Sequence, residues 1–481
     1  MDAGYLNCSR SVEPVNGVLT EFWQLAGAAA PLVDGLHASD DVLPSALATG
    51  ELAVGAVAAA ATSAAELAEA RGSRRPQVRV DSRRVSAAFR SDQLFRLDGR
   101  RAEAFAPHSG FWPTADGWVR THANYPHHRD RLLAALGLPT SASPDDLARA
   151  LQGLQSETVE GCVLAAGGVC AAVREAAQWR NHPQAAAVAQ LPLIGWSLLA
   201  EAAPRTHPRL STDPLLPAAG LRVLDLTRVI AGPVATRTLA LLGAEVLRVD
   251  SPQLPEIPWQ HLDTGMGKRS ALLDLGASSD RQAFDRLVDH ADVVVMGYRP
   301  RALERFGLAP ARLAEQRPGL VVAALSAWGP TGPWGSYRGF DSIVQAATGI
   351  ALAESPQARK PGRLPAQALD HATGYLLAGA VMHAIARQIR EGGSWYVHAH
   401  LARTAQWLLA HPAEHPSRLP DVQDVLRERS SPSGSLRYPP PAIEIAGGPD
   451  DWGEAGRPWG TDPATWVSGL PSLQSQVHRT P

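Results

Sequence analysis

Cysteine is scarce in this chain of 481 residues, which has only Cys8, Cys162 and Cys170. Three thiols at those spacings build neither a disulfide framework nor a metal site, and they predict reduced side chains in a cytoplasmic protein. An excess of one charge is missing too. The net charge is −2, so no basic field draws the chain to nucleic acid or to acidic lipid. Lysine is rare beside arginine, a bias that fits GC-rich coding better than any function. Long hydrophobic runs are also absent. The most apolar stretch, "LAVGAVAAAATSAA" at 52–65, is short and is followed by Glu66, which predicts a buried helix rather than a membrane span. The opening "MDAGYLNCSRSVEP" lacks the basic end and apolar core of a signal peptide.

Several chemical signatures are missing as well. There is no G-x-x-x-x-G-K-[ST] phosphate loop, and the loop "TRVIAGP" (227–233) has one glycine where a dinucleotide fingerprint needs three. That argues against NAD or ATP, although Asp250 ends a strand where a dinucleotide fold places its ribose-binding acid. No G-x-S-x-G elbow occurs. "HANYPHHRD" (122–130) crowds three histidines, but Pro126 interrupts them. They read as surface histidines, and no metal site is expected.

What is present is a globular composition, 45% hydrophobic and 19% charged, with length for two or more domains. Residues 1–95 begin irregularly. They then give a helix at 46–71 and a short strand and helix at 78–91. Residues 96–201 read as a small α+β domain. In it, "GFWPTADGWVRTHA" (110–123) is a hairpin around Ala-Asp-Gly, and Ser143 with Pro144 starts a helix. A proline-rich linker covers 202–217. From 218 to 410 continuously apolar strands alternate with helices: "LRVLDLT", "AEVLRVD", "SALLDL", "DVVVMGY", "LVVAALSAWG" and "WYVHAHLA". That pattern predicts an α/β domain, a Rossmann-like parallel sheet with helices on both faces and the smaller α+β domain N-terminal to it. Residues 411–481, rich in proline and glycine, read as a tail that is extended along a surface or disordered.

One segment occurs twice. "ALATGELAVGAV" (46–57) and "ALDHATGYLLAGAV" (368–381) share seven of ten positions from Ala48/Ala372 to Val57/Val381. A helix, a glycine turn and a strand follow each copy. The later copy has Asp370 where the earlier has Ala46. Asp370 suits a helix N-cap. It equally suits a nucleophile, a carboxylate kept ionised by a helix N-terminus, with Ala372 and Gly374 small enough to admit a thioester.

Five blocks then resemble the class III CoA-transferases (the CaiB/BaiF family), in order. They are "LRVLDLTRVIAGPVATRTLALLGAEVLRVDSP", "GKRSALLDL", "ADVVVMGYRPRALERFGL", "WGPTGPWGSYRGFDSIVQAATG" and "ALDHATGYLLAGA". "SGFWPTADGWVRTHA" and "VCAAVREAAQWRNHPQAAA" resemble the family's small domain, which here comes first. The chain thus resembles two tandem copies. The first has lost its nucleotide-fold section and its nucleophile; the second lacks a clear small domain. The resemblance implies a transferase moving CoA between carboxylic acids through an aspartyl anhydride and an aspartyl-CoA thioester, with Asp370 as nucleophile. Acyl-CoA and an acceptor acid are the implied partners, with no permanently bound cofactor. The family's interlocked arrangement implies a homodimer or an internal imitation of one. By resemblance Val229 and Ile230 lie near adenine or pantetheine. Lys268, Arg305 and Arg338 lie near phosphates, and Tyr298 and Arg299 border the groove. Gly267 stands where the family has asparagine, and Met296-Gly297-Tyr298 where it has Glu-Asn-Phe. The alternatives are a non-catalytic CoA-binding scaffold and an α-methylacyl-CoA racemase. Such a racemase carries histidine where this chain has Phe340.

Overall fold

The computed structural model describes residues 16–36, 42–211, 213–355, 360–415 and 418–467. Seven strands form its main sheet: β1 (Ile194–Ala200), β2 (Arg222–Leu226), β3 (Glu245–Asp250), β4 (Arg269–Leu272), β5 (Val293–Met296), β6 (Val321–Ser326) and β7 (Ser394–His400). Their order is β4-β3-β2-β5-β6-β7-β1. The first six are parallel, and β1 adds antiparallel to β7 at the edge. The parallel six follow the doubly wound order in which chain direction across the sheet reverses between β2 and β5.

Alternate side chains explain why these strands are apolar throughout. Val223, Val293, Val295 and Ala323 face one core, and Leu224, Val294, Met296 and Val322 face the other. The second core is closed by Phe284, Leu287 and Leu313. The first lies under four helices: α1 (Thr49–Ala70), α2 (Ala231–Leu241), α3 (Asp341–Thr348) and α4 (Ala368–Glu391).

Helices α1 and α4 are the two copies of the repeat, and they pack on each other. A Cβ at Gly379 would lie 3.1 Å from Ala59 O and from Ala60 Cα, so any larger residue would push the two helices apart by at least a few tenths of an ångström. Further along, Glu66 accepts from His383 Nδ1 at 2.7 Å and from Arg390 Nη1 at 2.8 Å. Among the described residues α1 is the one helix long and apolar enough to cross a membrane, and 94% of its apolar window is buried in the protein. A helix apolar on all sides belongs inside a core. The copies diverge at the next element. After α4 the chain forms β7 of the main sheet, whereas Val78–Arg79 after α1 pairs with Glu444–Ile445.

Two expectations need correction. Residues 194–200, read as part of the small domain, supply β1 to the main sheet. Residues 427–445 are no extended tail. Arg427–Ser431 and Gly434–Tyr438 form a hairpin that pairs with Arg96–Leu97, and Leu436, Tyr438 and Trp452 are buried. Residues 468–481, and the 1–15 stretch read as lacking a leader, lie outside the described residues. The small domain has the expected hairpin, Gly110–Pro113 with Trp118–Thr121, and Cys170–Ala172 adds a third strand. Ser143 and Asp146 close a capping box there.

Candidate active site

The crevice beyond the carboxyl ends of β2 and β5 is where an open α/β sheet binds its ligand. Here it is a cavity of about 660 Å³, lined by Leu226 from β2, Asp250 from β3, Gly297 and Tyr298 after β5, and Leu325 and Ser326 from β6. The β2–α2 turn is tight. A Cβ at Gly232 would sit 2.4 Å from Thr227 Cβ. Val229 adopts φ 71°, a costly conformation for a β-branched residue. Strain of that kind persists where surrounding structure holds a ligand-facing loop, and Val229 and Ile230 both line the cavity.

The cavity lining is rich in arginine. Arg131, Arg299, Arg301, Arg305 and Arg338 line the cavity, and among the described residues none is paired with a carboxylate. Arg338 and Arg131 instead donate to Gly167 O at 3.3 and 3.2 Å. Burial, then the neighbouring Arg299 and Arg131, lower the Arg338 pKa from its ordinary value. Unpaired guanidinium groups around one cavity suit a ligand with several phosphate oxygens. Arg228 is different: it is tied to Glu256 at 3.3 Å, and Glu256 accepts from Tyr125 Oη at 2.5 Å, joining the small domain to the sheet.

Lys268 does not reach this cavity, contrary to its expected place near phosphates. It is 3% exposed, and its three ammonium protons go to Asp225 Oδ2 (3.0 Å), Pro233 O (2.9 Å) and Thr236 Oγ1 (2.6 Å). A lysine buried that far needs those partners, and burial lowers its pKa to about 8. It braces the β2–α2 turn from behind. Asp250 is likewise occupied, by Arg248 at 2.7 Å and by Trp459 Nε1 at 3.0 Å, so it is not free for a ribose.

Asp370 also lines the large cavity, and on its other side it lines a chamber of about 30 Å³. Among the described residues it is the one acid common to both walls. The large cavity also touches Asp250 and Asp274, and the chamber touches Asp92 and Asp341. Asp370 is not the cap of its helix. Gln367 holds that position and Asp370 is the third helical residue. Its backbone N–H donates to Asp341 Oδ2 at 3.0 Å. Asp341 also accepts from Gln345, whose own Oε1 accepts from Leu364 N at 2.9 Å and so fixes the entry to α4. Asp341 therefore occupies the anion seat at the α4 N-terminus.

This overturns the expected electrostatics of Asp370. With the helix terminus already taken by an acid, burial and the Asp341 charge push the Asp370 pKa well above its ordinary value. Burial raises Asp341 to about 6, opposed by its hydrogen bonds. Asp92, raised to about 7 by burial and by Asp263, is the third acid of the chamber. The resting site thus favours carboxyl groups that keep protons. Gly374 also has another role than expected. A Cβ there would meet Ala231 O at 2.5 Å, so the glycine lets α4 lie against the first turn of α2.

Neither Asp92 nor Asp341 was named as a site residue from the sequence. Asp341 stood in view in "GFD" beside Phe340, whereas Asp92 has no local signal. Phe340 stacks on His122 at 3.7 Å with rings 1° apart. The clustered histidines are therefore not all on the surface: His122 and His128 are buried, and burial holds both neutral. Among the described residues no group of acids, histidines and cysteines is arranged to hold a metal. Trp328 and Trp334 pack with Trp179, away from the chamber.

Residues 218–433 match the CoA-transferase family III model. A Mycobacterium tuberculosis protein named "Probable fatty acyl-CoA transferase" is 37% identical over 195 residues, covering 38% of this chain and 50% of that protein. Human succinyl-CoA:glutarate CoA-transferase is 28% identical over 219 residues, covering 43% of this chain and 50% of that one. A crystal structure of a hypothetical protein from Mycobacterium tuberculosis is 37% identical, with TM-score 0.39, covering 41% of this chain and 58% of that one. The chain spans about half the length of these two curated relatives.

Proposed function

We propose, from the match of residues 218–433 to CoA-transferase family III, that this protein moves CoA between two carboxylic acids with Asp370 as the nucleophile. One observation carries the reading: among the described residues Asp370 is the acid that borders both the large cavity and the small chamber. A thioester bound along the large cavity brings its carbonyl to that point.

The large cavity takes the CoA portion. The unpaired arginines bind its phosphates, and Val229 and Ile230 pack against its apolar arm. Asp370 first loses its proton. A carboxylate whose pKa is raised is a stronger base and a better nucleophile once ionised. One oxygen attacks the thioester carbon, the C–S bond breaks, and CoA leaves as thiolate, giving an acyl-aspartyl anhydride. The thiolate attacks the aspartyl carbonyl and expels the donor acid as carboxylate, leaving aspartyl-CoA. The acceptor carboxylate attacks that thioester, expels CoA thiolate and forms a second anhydride. Attack of the thiolate on the acceptor acyl carbon gives the new thioester and restores the Asp370 carboxylate. No oxidant or reductant enters, and one site serves all four steps.

The pairing of α1 with α4 supports an internal imitation of the interlocked family arrangement. The first repeat copy, without a nucleophile, covers the α4 face that a second chain's helix would cover. With acyl-CoA as substrate, we place the reaction in the cytoplasm. Proton abstraction at a substrate α-carbon is disfavoured, because Phe340 puts a phenyl ring where a racemase needs a base. The test is CoA exchange between an acyl-CoA and a labelled acid by wild type and Asp370→Asn. The isosteric amide should abolish exchange while leaving CoA binding intact. Exchange at the wild-type rate would refute the reading.

A further inference from the structure

We infer that Asp92, contributed by the N-terminal segment outside the family-matched region, is a substrate-binding residue: it holds a proton and donates it in a hydrogen bond to the carboxyl group that reacts at Asp370. The inference rests on the proposed transferase reading and adds the group that receives the acid.

Four residues from four separate elements line the chamber and carry buried polar atoms with unmet hydrogen bonds. Asp92 Oδ1, His122 Nδ1, Gln260 Oε1 and Ser342 Oγ are all buried and have no hydrogen-bond partner among the described residues. Each of these residues is at least nine-tenths buried. Buried polar atoms go unpaired at a cost of about 1–3 kcal/mol each, so four of them on residues around one space point to a polar occupant. At about 30 Å³ the chamber has room for one carboxyl head and not for an acyl chain. The chain must then extend toward the large cavity, past Asp370.

The occupant's chemistry follows from the walls. A carboxylate only accepts hydrogen bonds, and among the described residues the chamber wall carries Asp92, Asp341 and Asp370 but no lysine or arginine. Three acids with a fourth carboxylate are tolerable only if protons lie between them. Asp341 is already spent as an acceptor for the Asp370 backbone and Gln345. Asp92 has the free oxygen. Its backbone is anchored beside it, where Ser91 Oγ donates to Asp263 Oδ2 at 2.7 Å, and Asp263 in turn pairs with Arg237. The charged and titratable groups around Asp92 are Arg90 on its own segment, Asp263, Asp341, Arg363, Asp370 and neutral His122. Burial is the largest influence and Asp263 the next, and together they keep the proton on up to about pH 7.

The test compares wild type, Asp92→Asn and Asp92→Ala from pH 5 to 9. Each is assayed with the fastest-exchanging acid among formate, acetate, oxalate, succinate and glutarate, paired with its CoA ester. In wild type the KM for the acid should rise above pH 7, about tenfold per unit, as Asp92 loses its proton. Asn, a donor that does not titrate, should flatten that rise. Ala should raise KM at least tenfold at every pH, with the KM for the CoA ester unchanged. Hydroxylamine trapping of acylated Asp370, run in parallel, separates the two readings. No trapping in wild type with any ester overturns the transferase reading and this inference with it. Trapping at Asp370 together with a KM that ignores Asp92, or an Asn variant that keeps the wild-type pH rise, overturns this inference alone.

Discussion

Removing the charge of Asp341 while keeping its shape should make Asp370 ionise more readily, and the acid side of the pH–rate profile should record it. In the structure, Asp341 Oδ2 lies 3.0 Å from Asp370 N. The Asp341 charge acts directly on the Asp370 carboxyl, and two like charges about 5 Å apart repel by about 3 kcal/mol at an effective dielectric of 20. At 1.36 kcal/mol per unit, that is about 2 pH units. Asp341 itself titrates at about 6, so its repulsion is partly relieved below that pH, and a shift of about 1–2 units is the expected result. In Asp341→Asn the amide oxygen can still accept the Asp370 N–H, and one bond to Gln345 must rearrange at a cost of about 1 kcal/mol. The assay is kcat/KM for the acyl-CoA from pH 4.5 to 8.5, with thermal melts to show that both proteins are folded. The acid limb should move to lower pH. A limb that stays put, or moves up, in a folded variant would show that Asp341 does not set the ionisation of Asp370.

Asp92 should also govern stability. Its folded pKa of about 7 lies above the unfolded value of 3.8, so the folded state holds the proton more tightly. Its stabilising contribution is complete below pH 3.8 and is lost as pH rises through 7. Denaturant titration should find Asp92→Asn more stable than wild type at pH 8, by up to about 4 kcal/mol, with the gap nearly closed at pH 4. Arg338→Ala should raise the KM for acyl-CoA about tenfold with little change in kcat, and dephospho-CoA esters or high salt should shrink the difference if the contact is to phosphate. Glu66→Ala leaves His383 and Arg390 without their carboxylate between α1 and α4 and should cost about 1–2 kcal/mol in a urea titration, because Arg390 is partly exposed and His383 can stay neutral. Gly379→Leu, which drives a side chain into Ala59 and Ala60, should lower the melting temperature further than a leucine at an exposed site.

The strands and helices from 218 to 410 were legible because a parallel sheet buried on both faces leaves continuous apolar runs in the sequence. The hairpin at 110–121 and the cap at Ser143 were legible because turn and cap chemistry is local. Asp370 stood out because its repeat partner lacks it. The misreadings share a different cause. Arg96–Leu97 pairs with a hairpin more than 330 residues later, and no local pattern announces such a contact. Ile194–Ala200 lies next to the small domain in sequence but next to β7 in space. Lys268 has the right charge for a phosphate, yet its burial against Asp225 is decided by the sheet. The protonation of Asp370 was misjudged because the occupant of the α4 N-terminus, Asp341, comes from another helix. Asp92 was invisible for the same reason: it gains meaning only where the N-terminal segment folds back onto α4.

The central claim is that Asp370 is covalently joined to each acid in turn, and oxygen bookkeeping tests it most directly. With an 18O-labelled acceptor carboxylate, the labelled oxygen that bridges the second anhydride stays on the aspartate when CoA thiolate attacks the acceptor carbon. After turnover, proteolysis and mass spectrometry should find 18O in the side chain of Asp370 and in no other residue of the site. Sustained CoA exchange with Asp370 left unlabelled would contradict the account.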